Sequence, residues 1–139
     1  MAEQQLNFRF SSPQLSSTFF SVMDRNLSDD PSDIIKDVKI ISSVKERSDN
    51  KALISLAVQN FDTPDDIDTK SYVFNISYTA EFVWKDNINK EQIDSFLAVS
   101  APALLLSYIR NTLSNLTASA KLSILDLPFY DFRENENKK

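Results

Sequence analysis

"SYVFNISYTAEFVWK", Ser71 to Lys85, decides the fold. Every second residue is apolar or aromatic: Tyr72, Phe74, Ile76, Tyr78, Ala80, Phe82 and Trp84. The positions between them, Ser71, Val73, Asn75, Ser77, Thr79, Glu81 and Val83, are mostly polar. Period two predicts a strand with one buried face. At about 3.3 Å per residue it runs roughly 40 Å, well beyond the usual strand of about 5–6 residues. A helix over the apolar stripe that follows spans roughly 25 Å at about 1.5 Å per residue. Part of the aromatic row is therefore expected to stay uncovered in one subunit and to serve a partner surface, self-association above all.

Upstream of this strand, "DTPDDID", Asp62 to Asp68, is an acidic loop. It lacks the glycine and the distant glutamate of the helix-loop-helix calcium motif, so it reads as a solvated connection. Before it, "KALISLAVQNF" places Ala52, Ile54, Leu56 and Val58 in one phase, and "DVKIISSVKER" does the same with Val38, Ile40, Ser42 and Val44. The short, turn-forming "SDN", Ser48 to Asn50, joins them as an antiparallel hairpin. Further upstream, Leu6, Phe8 and Phe10 begin a first strand, which Pro13 interrupts and "STFFSVM" continues. A proline there suits an edge strand or a bulge. The crossover "DRNLSDDPSD", Asp24 to Asp33, is polar, has turn chemistry at Asp30-Pro31 and ends on Ile34 and Ile35.

Downstream of Trp84 the period changes. Asn89 is placed to cap a helix, with Gln92 three residues later, and Ile93, Phe96 and Leu97 fall on one side of it. Ser100 reads as a second cap, with Pro102 in the first turn of a new helix. Leu105, Tyr108, Ile109, Thr112, Leu113 and Leu116 then form a stripe at helical spacing. Tyr108 lies on the stripe and reads as packed; Arg110 lies off it and reads as solvent-facing or paired. "KLSILDLPFYDF" reads as extended or irregular, and residues 133–139 as a solvated tail. Strands followed by helices make an α+β protein: a four-stranded antiparallel sheet with a short and a long helix packed on one face, in one domain over residues 1–132.

Composition narrows the chemistry. The apolar fraction of 42% and charged fraction of 25% are those of a folded chain of one-domain length. A net charge of -5 argues against nucleic acid as a partner. No run approaches the roughly 20 apolar residues of a membrane span, and "MAEQQLNFRF" has no basic-then-apolar leader pattern. A cytoplasmic location is expected, without membrane insertion. The chain has no cysteine, histidine or glycine. That removes thiolate chemistry, the usual proton shuttle and metal ligand, and every glycine-rich phosphate loop. No catalytic constellation is found in what remains, so neither an enzyme nor a cofactor is expected.

The segment "APALLLSYIRNTLSNLTASAKLSILDLPFYDF", Ala101 to Phe132, resembles the signature region of the SecB export-chaperone family. That family shows Cys-Pro-Asn-x-Leu-Phe-Pro-Tyr-Ala-Arg before a helix, and a Leu-x-Leu ending. Here Pro102, Leu105, Tyr108 and Arg110 hold matching places, and Leu125 and Leu127 match the ending. Ala101 and Ser107 replace the cysteine and second proline, and a glycine after the helix is missing near Ala120. The order of elements agrees over about residues 5–132.

The resemblance implies an ATP-independent holdase that binds unfolded, newly made or precursor polypeptides for protein export. It implies self-association as a dimer of dimers, with sheets joined between subunits. It also implies a client groove built from the crossover, the second strand and the long helix. Carried over, that groove comprises Leu27, Ile34, Ile35, Val38, Ile40, Leu113 and Leu116. The family docks a translocase motor through carboxylates on the first and long strands, yet Ser11–Val22 and Lys70–Ala80 contain no acid. The other reading is therefore an adaptor or dedicated chaperone for a specific partner such as an antitoxin, without translocase docking.

Overall fold

The computed structural model describes residues 8–133. The tail assigned to residues 133–139 thus lies almost wholly outside the described residues, as does Leu6. The chain runs β1 (Phe8–Phe10), β2 (Gln14–Val22), α1 (Pro31–Lys36), β3 (Lys39–Lys45), β4 (Lys51–Gln59), β5 (Tyr72–Trp84), α2 (Lys90–Ser95) and α3 (Ala101–Ser119).

The α+β plan holds, with one refinement. All strand pairs are antiparallel, and β5 is central, with β4 on one side and both β1 and β2 on the other. The expected first strand is split by Pro13, so five hydrogen-bonded segments do the work of four strands. Ser11 bridges the break: its N–H donates to the Glu81 carbonyl, and its Oγ accepts from the Glu81 N–H. The column containing proline is an edge, where a missing ladder donor is tolerated. The hairpin between β3 and β4 forms as expected, and its register sets Ile40 opposite Val58 and Val44 opposite Ile54.

The aromatic row is not left uncovered. Tyr72, Phe74, Ile76 and Phe82 are wholly buried, Ala80 and Trp84 nearly so, and Tyr78 is half-buried against the core. The reason is that the two expected helices are one. Lys90–Ser119 is a continuous helix of 30 residues, about 45 Å long and a match for the strand beneath it. Asn89 caps it as expected, accepting from the Gln92 N–H at 2.8 Å. Ser100 caps nothing; it sits in helical conformation at the end of a wide π turn, Phe96–Ser100.

That turn reconciles Pro102 with a helix interior. A proline gives no N–H to the carbonyl four residues back and its ring presses on it. Here the Ala101 N–H donates to Phe96, five residues back, which widens the spiral just before the proline. By length and composition the helix could cross a bilayer, but Ile93, Leu97, Leu105, Ile109 and Leu113 belong to the core. Leu125, Leu127 and Phe132 from the C-terminal segment complete that core.

The turn after α3 is made without glycine. Lys121 takes φ 64, and the N–H groups of Lys121 and Leu122 bond back to the carbonyls of Ala118 and Thr117. This is the left-handed helix ending that glycine usually supplies.

Candidate functional site

Apolar surface that the core does not hide sits at the margins of the sheet. Phe10 and Leu15 share the face of the aromatic row but lie on the outer strands, each 50% exposed; on β3, Ile41 is 51% exposed. Beside β3 is a cavity of about 490 Å³. Ile40 and Ile41 point to opposite faces of the sheet, yet both line it, so the cavity opens on the edge of the strand. Among the described residues β3 has no strand neighbour on the side away from β4.

Leu127, Pro128, Phe129 and Tyr130, in a segment without regular secondary structure, supply another wall. Leu125 and Phe132 are buried on either side of it, and Tyr130 packs edge-on against Phe132 at 4.7 Å. The segment is therefore pinned at both ends and stiffened by Pro128. Phe129 is left 74% exposed at the rim. Leu106 of α3 supplies a further lining residue.

The crossover contributes Ile35 and Val38. It folds locally because Asp30 caps α1, accepting from the Ser32 N–H and hydroxyl, with Pro31 at the start. Those hydrogen bonds hold the Asp30 carboxyl below the ordinary carboxylate range. Asp29 accepts from the Ser123 N–H at 2.6 Å and ties the crossover to the segment after α3. Lys39 contributes the one charged group of the lining and pairs with Asp62.

Of the residues assigned from sequence, Ile35, Val38 and Ile40 meet in this cavity. Ile34 and Leu113 do not; both are buried core, at 7% and 0% exposed. Leu113 falls on the part of α3 turned to the sheet, whereas Leu106 reaches the cavity. Leu116 is half-buried against the core, and Leu27 is exposed outside the lining. Tyr108 is 39% exposed and contacts the ring of Tyr78, while Arg110 pairs with Asp126 at 3.3 Å.

Sequence reasoning missed Ile41, Leu106 and the segment from Leu127 to Tyr130. The clue to the last was present: Leu125 and Leu127 alternate toward Pro128, and an aromatic pair follows. Among the described residues no group of acidic, histidine or cysteine side chains is gathered to hold a metal.

An antiparallel sheet backed by one long helix, with an apolar groove along an open edge, defines an α+β protein of SecB-like architecture. The family model for preprotein translocase subunit SecB matches residues 25–135, and the chain belongs to the SecB family. Membership supports a chaperone role. In structure the chain is similar to the SecB-like chaperone of Mycobacterium tuberculosis, solved in complex with a peptide from an antitoxin. The TM-score is 0.65 at 14% identity, over 90% of this chain and 88% of that one. A Streptococcus agalactiae protein of unknown function is similar at TM-score 0.48 and 12% identity, over 89% and 94% of the two chains. No curated protein sequence matches.

Proposed function

We propose that this protein is an ATP-independent, cytoplasmic holdase that keeps unfolded or newly made polypeptides from aggregating. The groove along β3 carries the reading. An open strand edge beside an apolar cavity can pair with the main chain of an extended polypeptide, while alternate side chains enter the cavity. Main-chain pairing is indifferent to sequence, and apolar burial asks only for oily side chains. Neither demands proton chemistry or a nucleotide. Exposed Leu15 and Phe19 on the outer strand β2 suit the joining of sheets between subunits, as in the family's dimer of dimers.

A second reading has its own support. On the sheet face away from the helices, β2 and β5 present Ser17, Phe19, Ser21, Asn75, Ser77 and Thr79, and the one carboxylate there, Glu81, lies 4.0 Å from the Lys51 ammonium. A face whose single acid already has a lysine partner favours a chaperone dedicated to a particular partner over one that docks a translocase motor and serves export. The antitoxin peptide bound by the structural neighbour is a partner of that kind.

The test is client protection. Near-stoichiometric protein is expected to slow aggregation of several unrelated unfolded clients, which displace one another. Ile41→Asp should abolish protection while thermal unfolding of the protein itself stays unchanged, because Ile41 is exposed. Full protection by that variant overturns the groove. Capture of one client that the others fail to displace selects the dedicated reading.

A further inference from the structure

The acidic loop after β4 lies outside the groove, yet it holds the groove's supports. It folds as a 3-10 turn, Pro64–Thr69, closed by Asp66, which accepts from the N–H groups of Asp62 at 3.1 Å and Thr63 at 3.4 Å. From its ends run two ion pairs. Asp62 takes the Lys39 ammonium, and the Lys70 ammonium lies 2.7 Å from Asp37 Oδ2. Asp37 and Lys39 flank Val38, with Ile35 and Ile40 just beyond. Each residue that the crossover and the start of β3 give to the groove is thus next to, or nearly next to, an ionic anchor in the loop.

The Lys39–Asp62 pair is exposed on both sides, but the Lys70–Asp37 pair is not an ordinary surface pair. The Lys70 side chain is only 13% exposed, so its charge is partly out of water and depends on Asp37. The two pairs enclose a polar pocket of about 350 Å³, lined by Lys39, Asp62, Asp66 and Lys70 among others. Asp37 and Asp62 remain accessible, at 57% and 46% exposed, so dissolved ions can screen both pairs.

We propose that Lys70, through Asp37, and Asp62, through Lys39, are positioning residues that hold one wall of the client groove in its binding-competent place. Resting on the groove reading above, this makes capture of an uncharged apolar chain weaken as ionic strength rises. The sign is informative. Burial of apolar surface is, if anything, strengthened by many salts. Screened anchors instead lower the fraction of molecules with a formed wall, and the apparent Kd rises by the inverse of that fraction.

The experiment titrates full-length protein with an end-blocked, uncharged peptide of alternating leucine and serine, followed by anisotropy of a neutral dye. At roughly 1 M against roughly 0.01 M sodium chloride, binding by the parent should be about three- to tenfold weaker. Lys70→Met should bind weakly at low salt and lose most of the salt dependence, and Lys70→Arg should restore both. Asp62→Asn, at an exposed site, should give the same pattern more mildly and guards against misfolding of the Lys70→Met variant. Parent affinity that is flat or rises with salt overturns the proposal. So do Lys70→Met and Asp62→Asn variants that both match the parent at low salt. Absence of peptide binding by the parent at every salt overturns the groove reading and this proposal with it.

Discussion

Asn60 continues the β4–β5 ladder with its side chain. Its Nδ2 donates to the Tyr72 carbonyl at 3.0 Å, and its Oδ1 accepts the Phe74 N–H at 2.8 Å. The residue is 1% exposed, so neither backbone group has water to turn to. Asn60→Ala should cost about 2–4 kcal/mol, since each buried group left without a partner costs roughly 1–3 kcal/mol. Asn60→Asp should also be costly, because a carboxylate would face the Tyr72 carbonyl. The check is a fall in urea midpoint at unchanged slope.

Lys121 carries the left-handed ending of α3 at φ 64. A side chain beyond Cβ gains nothing there, and the conformation costs an L-residue roughly 1–2 kcal/mol. Lys121→Gly should stabilise the protein by about 0.5–1 kcal/mol, after the entropy that glycine loses on folding. The corresponding rise in Tm is about 2–4 °C by calorimetry.

The Tyr72 phenol is pushed up to about 12 by burial, with the Asp29 carboxylate adding to the effect. Its ordinary value of 10.0 applies in the unfolded chain. The folded state therefore keeps a proton that the unfolded chain releases first. This contribution to stability is complete below pH 10 and is lost as pH rises toward 12, at about 1.4 kcal/mol per pH unit. Tyr72→Phe should flatten that alkaline decline. Because the hydroxyl has no hydrogen-bond partner, its removal should leave stability near neutral pH within about 1 kcal/mol of the parent. Urea titrations on both sides of pH 10 read both effects.

Groove and core should separate cleanly under mutation. Leu113 is wholly buried, and Leu113→Ala should lower stability by about 2–5 kcal/mol. Phe129→Ser, at a rim position 74% exposed, should leave stability within about 0.5 kcal/mol and reduce client protection. A Phe129→Ser variant that protects clients fully would remove the C-terminal segment from the groove.

Much of the architecture was written locally. The alternation in Tyr72–Trp84, the phased apolar residues of β3 and β4, Pro13 at a strand break and Asn89 at a helix start each fix their own neighbourhood. Local rules failed where a distant element changed the outcome. Ser100 and Pro102 read as a new beginning, yet the π turn at Phe96–Ser100 carries the helix through. Phe96 itself stacks on Phe8 at 3.9 Å, a contact no sequence window contains. Asp30-Pro31 reads as a turn, but the same pair caps and opens α1.

The alternation, the stripe, the class of fold and the lack of cysteine, histidine and glycine could all be read along the chain, because each depends on residue type and spacing within one segment. Which oily side chains are hidden and which remain available was decided only in three dimensions. Ile34 and Ile35 are neighbours of the same type, and one is core while the other lines the groove. Exposure belongs to the packing of one element against another, and the segment that makes the second wall reaches β3 from the far end of the chain.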